Sequence, residues 1–362
     1  MEDPKAPDLL YAGTEFGVFA SFDRGEHWTD LRLGLPHLPV VDMVVHPRDN
    51  DLVIATHSRG FYILDDAAPL QQLTKALNRK LTVFRPATAT RYTPASDTSV
   101  LGNRVWVAPN KPYGATITYY LASRDTAARV TILDGQGRVL QTLSGPAEPG
   151  LNRATWNLRE SVCEGGPTGG RRGGRGSGTG SRVLPGEYRA RVQALGESVE
   201  ETLAVRLDPR IQVSAPDLDA YYAEVKRLYG MQCSIDAALV KISSVNSQLT
   251  TLTPQIAAED LKALAASLRK QLDAIEVDLE PHAGDPEHLN LRRRLTWLVD
   301  QVQNYTGRPT NAQDEWIGTF ESQLKKVLLD LNAVIEQHLP PFNQRLREAN
   351  LPQISANAPA RQ

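Results

Sequence analysis

Residues 8–23, DLLYAGTEFGVFASFD, and residues 51–66, DLVIATHSRGFYILDD, align without a gap at an offset of 43. Identities fall at Asp8/Asp51, Leu9/Leu52, Ala12/Ala55, Gly17/Gly60 and Asp23/Asp66. Apolar residues also match at Leu10/Val53, Tyr11/Ile54, Val18/Phe61 and Phe19/Tyr62. Each copy is two short β-rich runs around a tight, glycine-containing connection, which is the pattern of a hairpin. A period of about 40–45 residues with several strands per unit is that of a β-propeller blade. Between the copies, Val40–Val45 reads as the innermost strand of the second blade.

The first copy runs into the turn Ser21-Phe22-Asp23-Arg24-Gly25-Glu26-His27-Trp28. An aspartate in such a turn accepts bonds from its own backbone amides. Gly25 can take the positive φ that the turn needs. Trp28 is expected to fold back as an apolar plug between strands. Ser21, Asp23, Gly25 and Trp28 are therefore read as a structural staple, not as catalytic groups. The second copy replaces this turn with Asp65-Asp66-Ala67-Ala68-Pro69, as expected where a chain leaves the propeller. Residues 1–73 are thus expected to form a partial propeller of about one and a half blades. A partial propeller leaves open strand edges. The missing blades are expected upstream in a truncated reading frame or on another chain.

The turn 21–28 resembles the Asp-box of BNR propellers, which include sialidases, xyloglucanases and sortilin-type receptors. The stretch VHPRDNDLVIATHSRGFYILDD, residues 45–66, resembles more closely the closing blade of bacterial sortilin-like proteins. Those are often labelled glycosyl hydrolases by similarity alone.

Residues 74–100 read as a polar, proline-containing connector. Across 101–212, short alternating runs at 114–121, 128–133, 138–143, 151–156, 186–195 and 199–206 predict a β-sandwich. Asp134-Gly135-Gln136-Gly137 is a hairpin signal. GLNRATWNLR at 150–159 and PGEY at 185–188 resemble the Ig-like domain of flagellar-hook capping proteins. The same module follows the propeller in the sortilin-like family and ends in Asp-Pro-Arg, here Asp208-Pro209-Arg210. Trp156 reads as a core residue. The Gly/Arg-rich stretch within 160–183 is too poor in apolar residues to fold and reads as a disordered loop. It lacks the interleaved aromatic residues of an RNA-binding tract.

From Ser214 the period becomes helical, and residues 213–350 predict four helices in an antiparallel bundle. Ser214 is the expected N-cap. Tyr221, Val225, Leu228, Gln232, Ile235, Leu239, Ile242, Asn246 and Leu249 form a heptad seam with two polar members. Such seams also suit partner helices, so self-association through this region is a second expectation. Pro340-Pro341 is expected to interrupt the last helix, and 351–362 to be a disordered tail. The fold class is therefore multidomain β plus α: partial propeller blades, Ig-like sandwich, helical bundle.

A net charge of -2 argues against a general nucleic-acid binder. No apolar run approaches the roughly 20 residues of a membrane span. Met1-Glu2-Asp3-Pro4-Lys5 is not followed by the apolar run of a signal peptide, so the compartment stays unassigned, although the resembled family is usually exported. Cys163 and Cys233 read as unpaired thiols. No metal-ligand spacing, dinucleotide fingerprint or phosphate loop is present, so no metal and no cofactor is expected. The resemblance implies that the hairpin loops lie on the propeller face where Asp-box glycosidases keep their active sites. Glu15 and Asp42 are the candidate carboxylate pair that glycoside hydrolysis needs, and His57 and Arg59 are the candidate binding residues. The expected function is a non-catalytic protein- or glycan-interaction module, the C-terminal part of a larger sortilin-like protein. The alternative is a fragment of an Asp-box glycoside hydrolase, with its site completed by upstream blades. Either reading implies a protein or polysaccharide partner.

Overall fold

The computed structural model describes residues 1–31, 36–94, 108, 110–161, 163, 180–280 and 290–356. They belong to two compact units. One joins Met1–Arg159 to Leu184–Pro209, and the other joins Glu160–Val183 to Arg210–Gln362.

The first unit opens with two three-stranded antiparallel sheets. β1 (Leu10–Thr14), β2 (Gly17–Ser21) and β3 (Thr29–Asp30) make one; β4 (Val40–Val45), β5 (Leu52–Thr56) and β6 (Gly60–Leu64) make the other. The pairing Thr14↔Gly17 leaves a loop of Glu15 and Phe16, whereas Thr56↔Gly60 leaves His57, Ser58 and Arg59. The gap-free repeat therefore hides one extra loop residue in the second hairpin. A one-residue difference turns a strand's side chains to the opposite face. Val18 and Ala20 are 1% and 0% exposed, yet their aligned partners Phe61 and Ile63 are 75% and 60% exposed.

Leu9, Tyr11, Val18 and Ala20 share one core with Val45, Leu52, Ile54 and Leu70, the last from helix α1 (Ala68–Gln71). Gly13 permits the close approach, since a Cβ there would meet Val40 Cγ1 at 2.6 Å. A buried polar knot closes the same region. Asp3 accepts from the Lys5 and Ala6 amides, the Tyr11 hydroxyl and the Gln71 amide, while Gln71 also exchanges bonds with Asn50. Burial and the Asp3 carboxylate raise the pKa of the Tyr11 hydroxyl, keeping it a donor.

A short helix α2 (Leu73–Ala76) follows. The connector expected over 74–100 then contributes two strands, β7 (Leu81–Val83) and β8 (Ala89–Arg91). Three-residue strands show too little alternation to be read from sequence. The rest of the unit holds β9 (Ala115–Leu121), β10 (Ala128–Leu133), β11 (Val139–Gly145), β12 (Gly150–Trp156), β13 (Gly186–Ala194) and β14 (Glu197–Leu207). They order as a five-stranded sheet, β11-β10-β13-β14-β8, and a three-stranded sheet, β12-β9-β7. β8 pairs parallel to β14; the other ladders are antiparallel. Trp156 is fully buried, donates from Nε1 to the Arg159 carbonyl at 2.8 Å, and meets the Tyr188 ring edge-on at 5.4 Å.

The second unit is built on long helices, α3 (Ala215–Leu252), α4 (Glu259–Leu279), α5 (Leu291–Asn304) and α6 (Asn311–Glu348), which pack together around one apolar core. Ser214 caps α3 by accepting from the Asp217 amide, and Thr310 with Gln313 forms a reciprocal cap on α6. The α3 seam departs from a strict heptad. Met231, Ala238 and Val245 are buried where the pattern suggested Gln232, Leu239 and Asn246. Gln232 and Asn246 sit at the edge, bonding Thr296 and Asp273 on neighbouring helices.

α6 runs through Pro340 and Pro341 without a break. Each proline removes a helical N–H. Burial of Leu339, Phe342 and Leu346 around them holds the helix together. Residues 351–356, within the expected tail, are described: Ile354 is buried and exchanges backbone bonds with the Asn343 side chain.

The expectation of unpaired thiols fails. Cys163 and Cys233 form a disulfide across 70 residues of sequence, with Cα atoms 5.7 Å apart. Sequence separation carries no information about such a pairing, because it depends on where the fold brings Cys163. Most of the Gly/Arg-rich stretch, residues 162 and 164–179, lies outside the described residues.

The Trp156 environment predicts a graded response. Trp156→Ala should cost about 3–5 kcal/mol, and Trp156→Phe about 1–2 kcal/mol for the lost indole hydrogen bond. Urea unfolding followed by far-UV circular dichroism measures both.

Candidate functional site

The turn 21–28 is closed by its own side chains. Ser21 is buried; its hydroxyl donates to Asp23 Oδ1 at 2.7 Å and accepts from the Gly25 amide at 2.7 Å. Asp23 Oδ1 also accepts from the His27 amide at 2.9 Å, and Oδ2 lies 2.6 Å from His27 Nδ1. Arg24 and Gly25 take positive φ of 61° and 99°. The backbone bond from His27, then the bonds from Ser21 and the His27 ring, lower the Asp23 carboxyl to about 2. Trp28 is not the expected plug. It is 45% exposed and donates from Nε1 to the Gly25 carbonyl, lying over its own turn.

Asp23, Glu26 and His27 also bring ligand atoms within 4.8 Å of one another, a grouping that sequence spacing did not suggest. Both oxygens of Asp23 are already committed to the turn. The arrangement is that of a rigid carboxylate-centred turn.

The candidate residues from the hairpins separate into two places. Residues 37–39 run past both loops: His37 Nδ1 contacts the Phe16 carbonyl at 3.1 Å, and the His57 amide donates to the Pro39 carbonyl at 2.9 Å. The loops carrying Glu15, His57 and Arg59 therefore share one end of the paired sheets, and all three residues are exposed. Asp42 is elsewhere. It follows the bulge at Val41 on β4, pairs across to Ala55, and accepts from the Met43 amide at 2.8 Å. It leaves the second sheet on the face away from the first sheet, whereas Glu15 belongs to the hairpin packed on the other face.

That outward face is the feature the gap-free alignment conceals. Val44, Val53 and Ile63 lie in one cross-strand row, and Asp42, Ala55 and Phe61 in the next. Val44, Phe61 and Ile63 are all more than half exposed. The extra residue in the 57–59 loop is the signal that could have found it. With it counted, Phe61 and Ile63 fall opposite Ala55 and Val53 on the outward side.

No protein-family model, curated protein or solved structure matches this chain.

The Asp23 carboxyl gives a pH prediction. Its folded pKa is depressed, so its contribution is present above the ordinary value of 3.8 and is lost as pH falls through about 2. Carboxyl NMR titration should place the Asp23 midpoint near 2. Ser21→Ala should move that midpoint back toward 3.8, because one of the bonds that hold the carboxylate is gone.

Proposed function

We propose that the chain is the C-terminal part of a bacterial sortilin-like Asp-box propeller protein and serves it as a non-catalytic module that binds a protein or glycan partner. On this reading the first two sheets are about one and a half blades. The next two sheets are the Ig-like sandwich, and α3 to α6 are an antiparallel bundle. The outward face of β4, β5 and β6 carries the reading. A sheet packed on a neighbour through one face, with Val44, Phe61 and Ile63 open on the other, has the two apolar faces of a blade inside a longer series. The staple turn supports it, because its aspartate is occupied by Ser21 and His27 and serves the turn.

Two measurements test the proposal. Incubated with a polysaccharide panel, the chain should bind without releasing sugar. Release that is abolished by Glu15→Gln or Asp42→Asn would overturn the non-catalytic reading in favour of a hydrolase. The open face should also make the isolated chain associate at high concentration. Sedimentation velocity should show this association weakened in the double variant Phe61→Asp, Ile63→Asp; an unchanged profile would count against an interblade face.

A further inference from the structure

Glu160–Val183 groups with the helices, and its start is held against one face of α3. Glu160 is buried, accepts from the Tyr222 hydroxyl, and pairs with Lys226 at 3.2 Å. The Lys226 ammonium lies 5.4 Å from the Tyr222 ring centroid. The two ends of the segment also bond each other. The Glu160 amide donates to the Ser181 carbonyl at 3.0 Å, and the Gly180 amide donates to the Glu160 carbonyl at 2.9 Å. Cys163 then reaches Cys233. Tyr222, Lys226 and Cys233 fall within about 40° of one another around a helix of 3.6 residues per turn. One helix face thus receives a hydrogen bond, an ion pair and a covalent bond from a short piece of chain.

We propose that Cys163–Cys233 is a maturation cross-link that locks the start of this segment, Glu160 and Cys163, to α3, and that the chain acquires it in an oxidising compartment. Disulfides persist in such compartments and are rare where thiols are kept reduced. Formation needs an exchange partner, either an oxidised dithiol protein or glutathione disulfide. One cysteine thiolate attacks the partner's disulfide, forming a mixed disulfide and expelling one partner sulfur as thiolate. The second cysteine, as thiolate, then attacks the protein sulfur of the mixed disulfide. The Cys163–Cys233 bond forms, the second partner sulfur leaves, and the two cysteine protons end on the reduced partner. Two electrons pass from the cysteines to that partner. The Glu160 contacts set the approach, since they place the start of the segment on the face that presents Cys233. They are exposed to exchange with water at Lys226, so the covalent bond is the lock.

The full chain is produced in an oxidising compartment and, separately, in a reducing cytosol of the same host. Each sample is denatured and treated with a maleimide-polyethylene glycol reagent without reductant. No modification is expected in the first sample and two additions in the second. Two free thiols in protein from the oxidising compartment would overturn the cross-link. The lock is read by amide hydrogen exchange at Glu160 and Gly180 in the folded chain. Exchange at both should rise on the order of tenfold or more in Cys163→Ser and in reduced wild-type protein alike. Unchanged exchange in the reduced wild-type protein would show that Glu160, Tyr222 and Lys226 hold the segment unaided, which overturns the lock. The reduced wild-type sample keeps the test valid should Cys163→Ser fold poorly.

Discussion

A small sheet is independently stable only when an apolar face is covered, and the strands of the first two sheets are only two to six residues long. The first seventy residues therefore depend on one contact, the burial of Tyr11, Val18 and Ala20 against Val45, Leu52 and Ile54. Gly13 sets how closely the sheets approach, since any side chain there would strike Val40. The Asp3 knot then ties the N-terminal residues and α1 to the rim of that core. An isolated buried carboxylate would be costly. Asp3 accepts from two amides, a hydroxyl and a side-chain amide, which offsets its removal from water.

The same contact explains why the other side of the second sheet is open. Alternation gives each strand two faces, and only one can meet the first sheet. Apart from Asp42 the residues on the second face are apolar here, and Val44, Phe61 and Ile63 stay more than half exposed. On the proposed reading this is the face that meets a neighbouring blade or partner. Asp42 stands in a row with Ala55 and Phe61 on that face, so an apolar neighbour on the same face borders its carboxylate.

Local chemistry was largely legible in the sequence. The hairpins, the Ser214 cap and the bonding of the 21–28 turn all depend on residues within a few positions of one another. Features that depend on longer distances were not. The 43-residue offset aligns the letters and the faces of β1 with β5, but not the faces of β2 with β6, because the extra residue taken into the 57–59 loop is absorbed by a one-residue shift along β6. The strands Leu81–Val83 and Ala89–Arg91 exist because their partners are β9 and β14, far along the chain. The Pro340-Pro341 pair looks like a stop to any local rule, yet burial on both sides overrides it.

The candidate site was legible in part for the same reason. Glu15, His57 and Arg59 fall at one end of the sheets because hairpin loops of equal polarity must, and residues 37–39 tie those loops together. Position near the start of β4 alone would put Asp42 at that end too, but the bulge at Val41 decides which face it takes. A bulge adds a residue and re-aims the side chains after it, and the residues VVDMVV carry no mark of where it will fall. Retaining and inverting glycosidases both need two carboxyl groups held across one bond. Glu15 sits in the loop of one hairpin and Asp42 on the outward face of the other sheet, so the two carboxylates belong to different sheets; on the proposed reading, Asp42 beside Phe61 would stand at the rim of the binding face.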